Sequence, residues 1–242
     1  MSIAETIRSV PPSPRAMVWP VLSNGKLGFP AGANQDMQLL DRNGTRLHFD
    51  RDETIFNEGD SAEFGYQVVS GVVRLCKHMA DGRRQITQFL LPGDFFSFME
   101  PSEYDFSAEA VNESVLICYP RRQIERLGED RPTMRKHFTT LLLKRVQEIQ
   151  NHLVMLGRQT AKEKVASFLL LLIERKGPED DPLLDLPMSR QDIADYLGLT
   201  IETVCRVLSA MRRNCLIGIP NLHQLVVIDV EALYTIAEGD DE

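Results

Sequence analysis

The chain has 242 residues, which is enough for two domains of ordinary size and does not require a third. Hydrophobic residues make up 43% and charged residues 26%, which indicates a soluble globular protein, and the longest purely apolar run, residues 168–173, is too short to span a bilayer. The net charge of −8 argues by itself against nucleic acid as a partner, because phosphate contacts require lysine and arginine.

The N-terminal half is predicted to contain an irregular arm followed by a β domain. Residues 1–36 carry five prolines and several glycines without hydrophobic periodicity, which indicates the arm. In residues 37–130, short runs rich in β-branched and aromatic residues are separated by glycine-containing turns at the spacing of a small barrel or roll. We therefore predict an antiparallel β-roll with strands at residues 45–49, 66–69, 72–76, 85–91 and 114–119.

The next segment, residues 131–158, is predicted to be a long dimerisation helix. Its hydrophobic residues recur at alternating steps of four and three, the spacing of a coiled coil: Leu142, Val146, Ile149, Leu153 and Leu156. The same short stripe also fits a helix that packs on its own domain, so the sequence leaves both arrangements open.

Residues 159–242 are predicted to form a C-terminal DNA-binding domain. A very apolar helix at residues 159–176 supplies its core and ends at Gly177-Pro178. Ser189 is the expected N-cap of the following helix. Gly198 then fits the turn of a helix-turn-helix, and Ala194 fits the point where its two helices approach closely.

The helix-turn-helix is predicted to have its first helix at residues 190–197, its turn at 198–200 and its second helix at 201–213. Apolar residues occupy the positions that lock two such helices at a steep angle: Ile193, Leu197, Leu199, Val204 and Val207. An ordinary pair of antiparallel helices would satisfy part of this pattern. The small residues at positions 194 and 198 and the polar second helix favour the helix-turn-helix.

The second helix is predicted to read DNA bases. Its inward face carries Val204, Val207, Leu208 and Met211, and its outward face carries Ile201, Glu202, Cys205 and Arg206. Arginine donates two hydrogen bonds to guanine and glutamate accepts one from cytosine, and a spacing of four residues reaches neighbouring base pairs in one major groove. Three arginines against one glutamate give residues 201–213 a local charge of +2, a basic face on an acidic protein. A surface ion pair between Glu202 and Arg206 is the alternative interpretation.

Further DNA contacts are expected from polar residues of the two helices and from a wing. The polar candidates are Ser189, Arg190, Thr200, Thr203 and Arg212, the last as a phosphate contact. Residues 216–219 and 224–228 are predicted to form two strands joined around residues 220–221, which makes a winged helix-turn-helix. His223 at the tip is interpreted either as a phosphate contact or as an exposed turn histidine.

The motif at residues 189–206, Ser-Arg-Gln-Asp-Ile-Ala-Asp-Tyr-Leu-Gly-Leu-Thr-Ile-Glu-Thr-Val-Cys-Arg, resembles the CRP/FNR superfamily, and with the β-roll and long helix the resemblance covers residues 37–236. Glu-Thr-Val-Cys-Arg at 202–206 is similar to the FNR and FixK branch, and the lack of sensory cysteines fits the FixK type. The resemblance implies an α+β fold with a jelly roll like that of cyclic-nucleotide-binding domains. It also implies a homodimer on palindromic double-stranded DNA with TTGA-like half-sites, whose G·C pair Arg206 and Glu202 read. Such an activator recruits RNA polymerase at genes for low-oxygen respiration and nitrogen fixation and is not an enzyme.

Departures from the family indicate which cofactors to exclude. In members that bind cyclic AMP, a Gly-Glu pair and an Arg-Ser pair hold the ribose and the phosphate, whereas this chain has Phe95-Phe96-Ser97-Phe98 and Asp105-Phe106-Ser107 there. An anionic nucleotide would meet an apolar wall, so we expect no cyclic nucleotide binding. Residues 1–75 contain no cysteine for an iron-sulfur cluster, and the five histidines show no pairing for haem, so we predict neither a cofactor nor a metal.

The four cysteines lie far apart without a Cys-x-x-Cys motif, which argues against a zinc ribbon and against secreted disulfides. Buried, unreactive thiols are expected for Cys76, Cys118 and Cys215. Cys205 is expected on the DNA-facing surface, where oxidation would add negative charge beside the phosphates, although a small residue that merely fits against DNA explains it equally well. Because the arm contains no apolar segment of the kind that a secretory signal has, we expect a cytoplasmic protein without a membrane partner.

Two alternative functions stay open. Small β-barrels also serve as cupin-type metalloenzymes, but the histidines are scattered and form no His-x-His motif: His48, His78, His137, His152 and His223. The other alternative is a regulator whose roll binds an apolar small molecule. Its lining would be Phe95, Phe96, Phe98 and Phe106, which fit a packed core equally well.

Overall fold

A computed structural model of the chain describes residues 44–98, 102–176 and 183–239. The predicted arm at residues 1–36 lies outside these ranges. The described residues fall into two compact units, 44–150 and 151–239, and the division between them lies inside the segment 131–158 for which the sequence predicts one helix. No helix of the described residues is long and apolar enough to cross a membrane.

The first unit contains the predicted β-roll. Its strands are β1 (Thr45–Phe49), β2 (Thr54–Phe56), β3 (Phe64–Ser70), β4 (Val73–His78), β5 (Arg84–Leu90), β6 (Phe95–Phe96), β7 (Ser107–Ala110) and β8 (Ser114–Pro120). All five predicted strands are confirmed, with their ends shifted by at most two residues. The sequence did not indicate β2, β6 and β7, because segments of two to four residues are too short to show an alternating pattern.

Two antiparallel sheets with the strand orders β1-β8-β3-β6 and β2-β7-β4-β5 form the roll. Strands of both sheets contribute to one core, for example through Tyr66, Val73 and Leu116. Because side chains alternate along a strand, Ile117 and Tyr119 of β8 face the other way. They pack with the two helices that follow, α1 (Arg121–Asp130) and α2 (Pro132–Arg158), in a second cluster around Ile124, Met134 and Phe138.

The second unit is built around the apolar helix that the sequence predicts, α3 (Ala161–Lys176), whose buried side includes Val165, Phe168 and Leu169. This helix begins two residues later than predicted, because Thr160 caps it: the Thr160 hydroxyl accepts the N–H of Glu163, and the Glu163 carboxylate accepts the N–H of Thr160.

The rest of this unit is the predicted winged helix-turn-helix, with two additional elements. In chain order the elements are β9 (Leu183–Asp185), α4 (Arg190–Leu197), α5 (Ile201–Arg213), β10 (Ile217–Asn221), β11 (Gln224–Val227) and α6 (Val230–Glu238). The predicted wing strands correspond to β10 and β11, and β9 joins them in a sheet of order β10-β11-β9. The elements β9 and α6 were not predicted from the sequence.

The predicted burial of the cysteines is confirmed for two residues and wrong for a third. Cys76 and Cys118 are buried, and burial raises the pKa of their thiols to about 12 and about 11, respectively. Cys215 is exposed, contrary to the prediction. It follows the end of α5 in the left-handed backbone region (φ 57°), in the turn that leads into β10. A turn position of this kind does not supply a core side chain.

Candidate nucleic-acid interface

The first helix of the motif, α4, begins at a capping box. The Ser189 hydroxyl accepts the N–H of Asp192 at 3.0 Å, and the Asp192 carboxylate accepts the N–H of Ser189 at 3.0 Å. Ser189 Oγ also donates to the same carboxylate at 2.7 Å. These bonds satisfy N–H groups that have no helical carbonyl partner, which confirms Ser189 as the N-cap.

The turn between α4 and α5 depends on a glycine. Gly198 has φ 61° and ψ 41°, the left-handed conformation that costs an L-residue energy, and its N–H donates to the Ala194 carbonyl. A Cβ at this position would lie 3.3 Å from Leu156 Cδ2. Ala194 is fully buried where the helices meet. The predicted bounds 190–197, 198–200 and 201–213 are all confirmed.

Helix α5 separates a buried face from an exposed one. Thr200 caps it by accepting the N–H of Thr203 at 3.3 Å. Its inward side chains Val204, Leu208 and Met211 are buried, as predicted, and Val207 is half-buried. Of the four predicted base readers, Glu202, Cys205 and Arg206 are exposed, and Ile201 is half-buried.

The exposed face of α5 is basic, and its charged side chains are accessible to a ligand from solvent. Arg206, Arg212 and Arg213 are exposed, whereas Glu202 is the helix's acidic residue. Within the part of the chain that the structure describes, Glu202 and Arg206 form no ion pair with each other, so the alternative interpretation of a surface pair is wrong. The N–H of Glu202 itself and the Thr200 hydroxyl hold the pKa of the Glu202 carboxyl below its usual range, which keeps it an acceptor.

Arg190 lies at the start of α4 with a guanidinium that is only half accessible. Its Nη1 is buried and has no hydrogen-bond partner among the described residues. Burial lowers the pKa of Arg190, and the neighbouring Cys205 acts in the opposite direction. A buried donor without an acceptor is unfavourable for the folded state.

The wing presents an exposed tip. His223 is exposed, beside Leu222, which is 74% exposed. The N–H of His223 donates to the Asn221 side chain at 2.9 Å, which shapes the turn between β10 and β11. The position fits either of the two interpretations given for His223.

Helix α2 carries a row of exposed apolar side chains, which are Leu143, Val146, Ile149, Leu153 and Val154. Leu142 and Leu156, the ends of the predicted stripe, are half-buried instead. Leu142 packs on the cluster around Phe138, and Leu156 lies near Gly198. The central residues of the predicted stripe are therefore exposed to solvent, whereas its two end residues pack within their own units. Leu143 and Val154 were missed because they fall outside the regular heptad spacing.

Aromatic side chains fill both apolar clusters of the first unit, Phe96 in the core of the roll and Phe95 and Phe98 in the cluster with α1 and α2. Phe95, Phe96 and Phe98 are buried, each with a relative exposure of at most 7%. Phe96 stacks on Tyr66 with ring centroids 5.3 Å apart, and Phe95 stacks on Tyr119 at 5.7 Å. These three phenylalanines are core residues. Phe106 is half-buried, with the Lys77 ammonium 5.3 Å from its ring centroid.

Comparisons with known domains match both units. Residues 163–236 match a Crp-like helix-turn-helix domain, and residues 46–131 match a cyclic nucleotide-binding domain. The chain is 42% identical to the nitrogen fixation regulation protein FixK of Azorhizobium caulinodans, over 96% of this chain and 98% of the relative. It is 32% identical to the transcriptional activator protein FnrL of Cereibacter sphaeroides, over 78% of each chain.

Solved structures show the same architecture. The structure of FixK2 from Bradyrhizobium japonicum matches with a TM-score of 0.77 and 35% identity, over 80% of this chain and 96% of that one. A CRP-family transcriptional regulator from Thermus thermophilus matches with a TM-score of 0.66 and 26% identity, over 79% and 96% of the two chains.

Proposed function

The chain belongs to the CRP/FNR superfamily, in its FixK-type branch, and we propose that it activates transcription as a homodimer that reads a palindromic DNA site through α5. It is a DNA-binding transcription regulator and not an enzyme. The observation that carries the proposal is the exposure of Glu202, Cys205 and Arg206 on the side of a doubly capped helix-turn-helix opposite its core.

Arg206 and Glu202 read one G·C pair in each half-site. Arg206 donates two hydrogen bonds to guanine O6 and N7, and Glu202 accepts one from the N4 amino group of cytosine. Both side chains are exposed and lie one helical turn apart, so they reach into the same major groove. Ile201 and Cys205 border them. The resemblance to the FNR and FixK branch implies that this G·C pair belongs to a TTGA-like half-site.

Contacts to phosphates fix the register of the protein on DNA. Arg212 is exposed in the last turn of α5, and the half-buried Arg190 lies at the start of α4. The hydroxyls of Ser189, Thr200 and Thr203 lie at the N-termini of the two helices, where N–H groups and the helix dipole favour an anion. These contacts carry affinity, whereas Arg206 and Glu202 carry specificity.

The exposed row on α2 pairs with the same row of a second copy of the chain. Leu153 is 70% exposed and Ile149 is 57% exposed, which is unfavourable for leucine and isoleucine in water. The opposite side of the helix is occupied by its own unit: Glu148 accepts from Gln88 of β5 at 3.1 Å and pairs with Lys144 and Arg145. Pairing of two such helices creates the symmetry that matches a palindrome with half-sites about 34 Å apart.

The dimer recruits RNA polymerase at genes for low-oxygen respiration and nitrogen fixation. Support comes from relatives whose names give nitrogen fixation regulation or transcriptional activation as their role.

The regulator works without a cyclic nucleotide. The resemblance places phenylalanines where other members have the carboxylate for the ribose and the guanidinium for the phosphate. Phe96 is buried in the core of the roll, and Phe95 and Phe98 are buried in the cluster with α1 and α2. An anionic ligand against these aromatic side chains would lose its hydration.

Oxidation of Cys205 lowers the affinity for DNA. The thiol is exposed among the base readers, and Arg190 lies near it. Two successive peroxide molecules each transfer one oxygen atom to the sulfur and leave as water, which converts the thiol to a sulfinate. The new negative charge repels the phosphates. A Cys205→Ser variant should keep its DNA affinity after peroxide treatment, and equal losses in the two proteins would contradict the switch.

Fluorescence anisotropy of the reduced, ligand-free protein tests the proposed function directly. The two duplexes are a palindrome with TTGA half-sites and a scrambled sequence, compared at one near-physiological salt concentration. We expect binding to the palindrome that is at least about 10³-fold tighter. Equal affinity for both duplexes would contradict the half-site assignment or the absence of an effector, and a metabolite screen by thermal shift would separate these two cases.

A further inference from the structure

The outer face of the roll brings a thiol, an imidazole and a carboxylate together. Along β4, side chains alternate, so Val73 and Leu75 face the core while Arg74, Cys76 and His78 share the opposite face. On the paired strand β7, Ala108 faces the core, which places Glu109 on the same outer face as the β4 residues.

Three potential metal-ligand atoms converge at this point. His78 Nε2 lies 3.6 Å from Cys76 Sγ and 3.2 Å from Glu109 Oε1, and all three atoms lie within 4.8 Å of one another. In a tetrahedral zinc site, the usual bond lengths place a nitrogen about 3.3 Å from an oxygen and about 3.6 Å from a sulfur. The two measured distances therefore match two edges of such a tetrahedron.

We propose that Cys76, His78 and Glu109 bind one zinc ion on the outer face of the β-roll. Thiolate sulfur, imidazole nitrogen and carboxylate oxygen are the ligand types that zinc takes in proteins. The protein supplies three ligands, and water occupies the fourth position. When zinc binds, a sulfur-zinc bond forms, the S–H bond breaks and the proton passes to solvent.

The surroundings orient the carboxylate for this role. Arg74 Nε and Nη2 donate to Glu109 Oε2 at 2.8 and 2.7 Å, which leaves Oε1 directed toward His78. Ligating carboxylates are commonly held in this way by hydrogen bonds to their second oxygen. Arg84 lies 3.6 Å from the same Oε2, and the Asp52 carboxylate, 3.0 Å from Arg74 Nη1, offsets part of the positive charge. The half-exposed His78 side chain gives the ion a route from solvent.

The sequence did not predict this metal site, because its histidines and cysteines form no paired motif. Glu109 is 31 positions from His78 in sequence, so the cluster exists only after β4 and β7 pair. The remaining local signal is Cys-x-His, which is too short to be specific.

A cobalt titration of the full chain tests the proposal. Cys205 and Cys215 are exposed and would bind metal on their own, so both are replaced by serine, and the protein is stripped of metal with a chelator under reducing conditions. Added Co²⁺ should produce a thiolate-to-cobalt charge-transfer absorption that saturates at one ion per chain. An equal amount of Zn²⁺ should remove the absorption, because zinc binds such a site more tightly than cobalt.

Matched variants assign the signal to its ligands. Cys76→Ser should abolish the absorption, whereas Cys118→Ser, at the other buried thiol of the roll, should retain it. His78→Gln should weaken Co²⁺ binding at least about tenfold. His48→Gln, at an exposed histidine of β1, should leave it unchanged.

Three results would overturn the proposal: no charge-transfer absorption at all, an absorption that survives Cys76→Ser, or equal Co²⁺ affinity in His78→Gln and the parent. Circular dichroism establishes that each variant is folded. If Cys76→Ser does not fold, His78→Gln decides, because His78 is largely exposed and its replacement leaves the core intact.

Discussion

Replacing Arg206 by alanine should remove sequence discrimination while leaving the fold intact. Arg206 is exposed, and within the described residues it has no ion-pair partner, so the free energy of unfolding should change by no more than about 0.5 kcal/mol. Each bidentate arginine-guanine contact contributes about 1 to 3 kcal/mol of discrimination. A dimer makes two such contacts, which add to about 2 to 6 kcal/mol because they are far apart.

This energy corresponds to a loss of affinity for the palindrome between about 30-fold and about 10⁴-fold. Anisotropy titrations measure it on two duplexes, the TTGA palindrome and a version whose G·C pairs are changed to A·T. The parent protein should bind the changed duplex weakly, and Arg206→Ala should bind both duplexes alike. Arg212→Ala is the matched control and should weaken binding to every sequence similarly. Two results would refute the base-reading role of Arg206. In the first, Arg206→Ala still prefers the TTGA palindrome; in the second, it loses affinity equally for specific and scrambled DNA.

Three further predictions concern assembly and stability. Leu153→Lys should raise the dimer dissociation constant at least about 100-fold in sedimentation experiments, because two leucines lose about 1.5 kcal/mol or more each, whereas Ile228→Lys, at an exposed apolar residue outside α2, should not. Gly198→Ala should lower the free energy of unfolding by about 1 kcal/mol or more in urea, because alanine is strained at φ 61°; an unchanged midpoint would contradict the role of the turn. Burial raises the pKa of Glu174 to about 7, so the folded state favours the protonated carboxyl and the free energy of unfolding falls as the pH rises from about 4.5 to about 7. In urea titrations, Glu174→Gln should make this fall with pH smaller, whereas Glu231→Gln, at an exposed residue, should not.

The helix-turn-helix was predictable because its determinants are local. Ser189 and Asp192 form their capping box within three residues, and Gly198 takes the one conformation that its turn requires. The apolar spacing of α5 then fixes which side chains are buried and which are exposed. None of these features needs a distant partner, so the sequence carries them directly.

Elements and exposures that depend on distant contacts were predicted less well. The short strands β2, β6 and β7 exist because longer strands pair with them. Leu142 and Leu156 obey the heptad spacing and still pack inside their own units, which periodicity alone does not distinguish from a dimer contact. Cys215 was expected to be buried from its residue type, but its place in the turn after α5 exposes it.

The sequence by itself determined the family, the order of the elements and the reading face of α5, because these follow from periodicity, caps and a contiguous motif. Only the tertiary structure decided that Phe95, Phe96 and Phe98 are core and that Cys76, His78 and Glu109 meet on one face. The physical reason is that strand pairing joins residues that are distant in the chain. The pairing of β4 with β7 sets the distances between their side chains, and those distances determine whether a thiol, an imidazole and a carboxylate are able to act together.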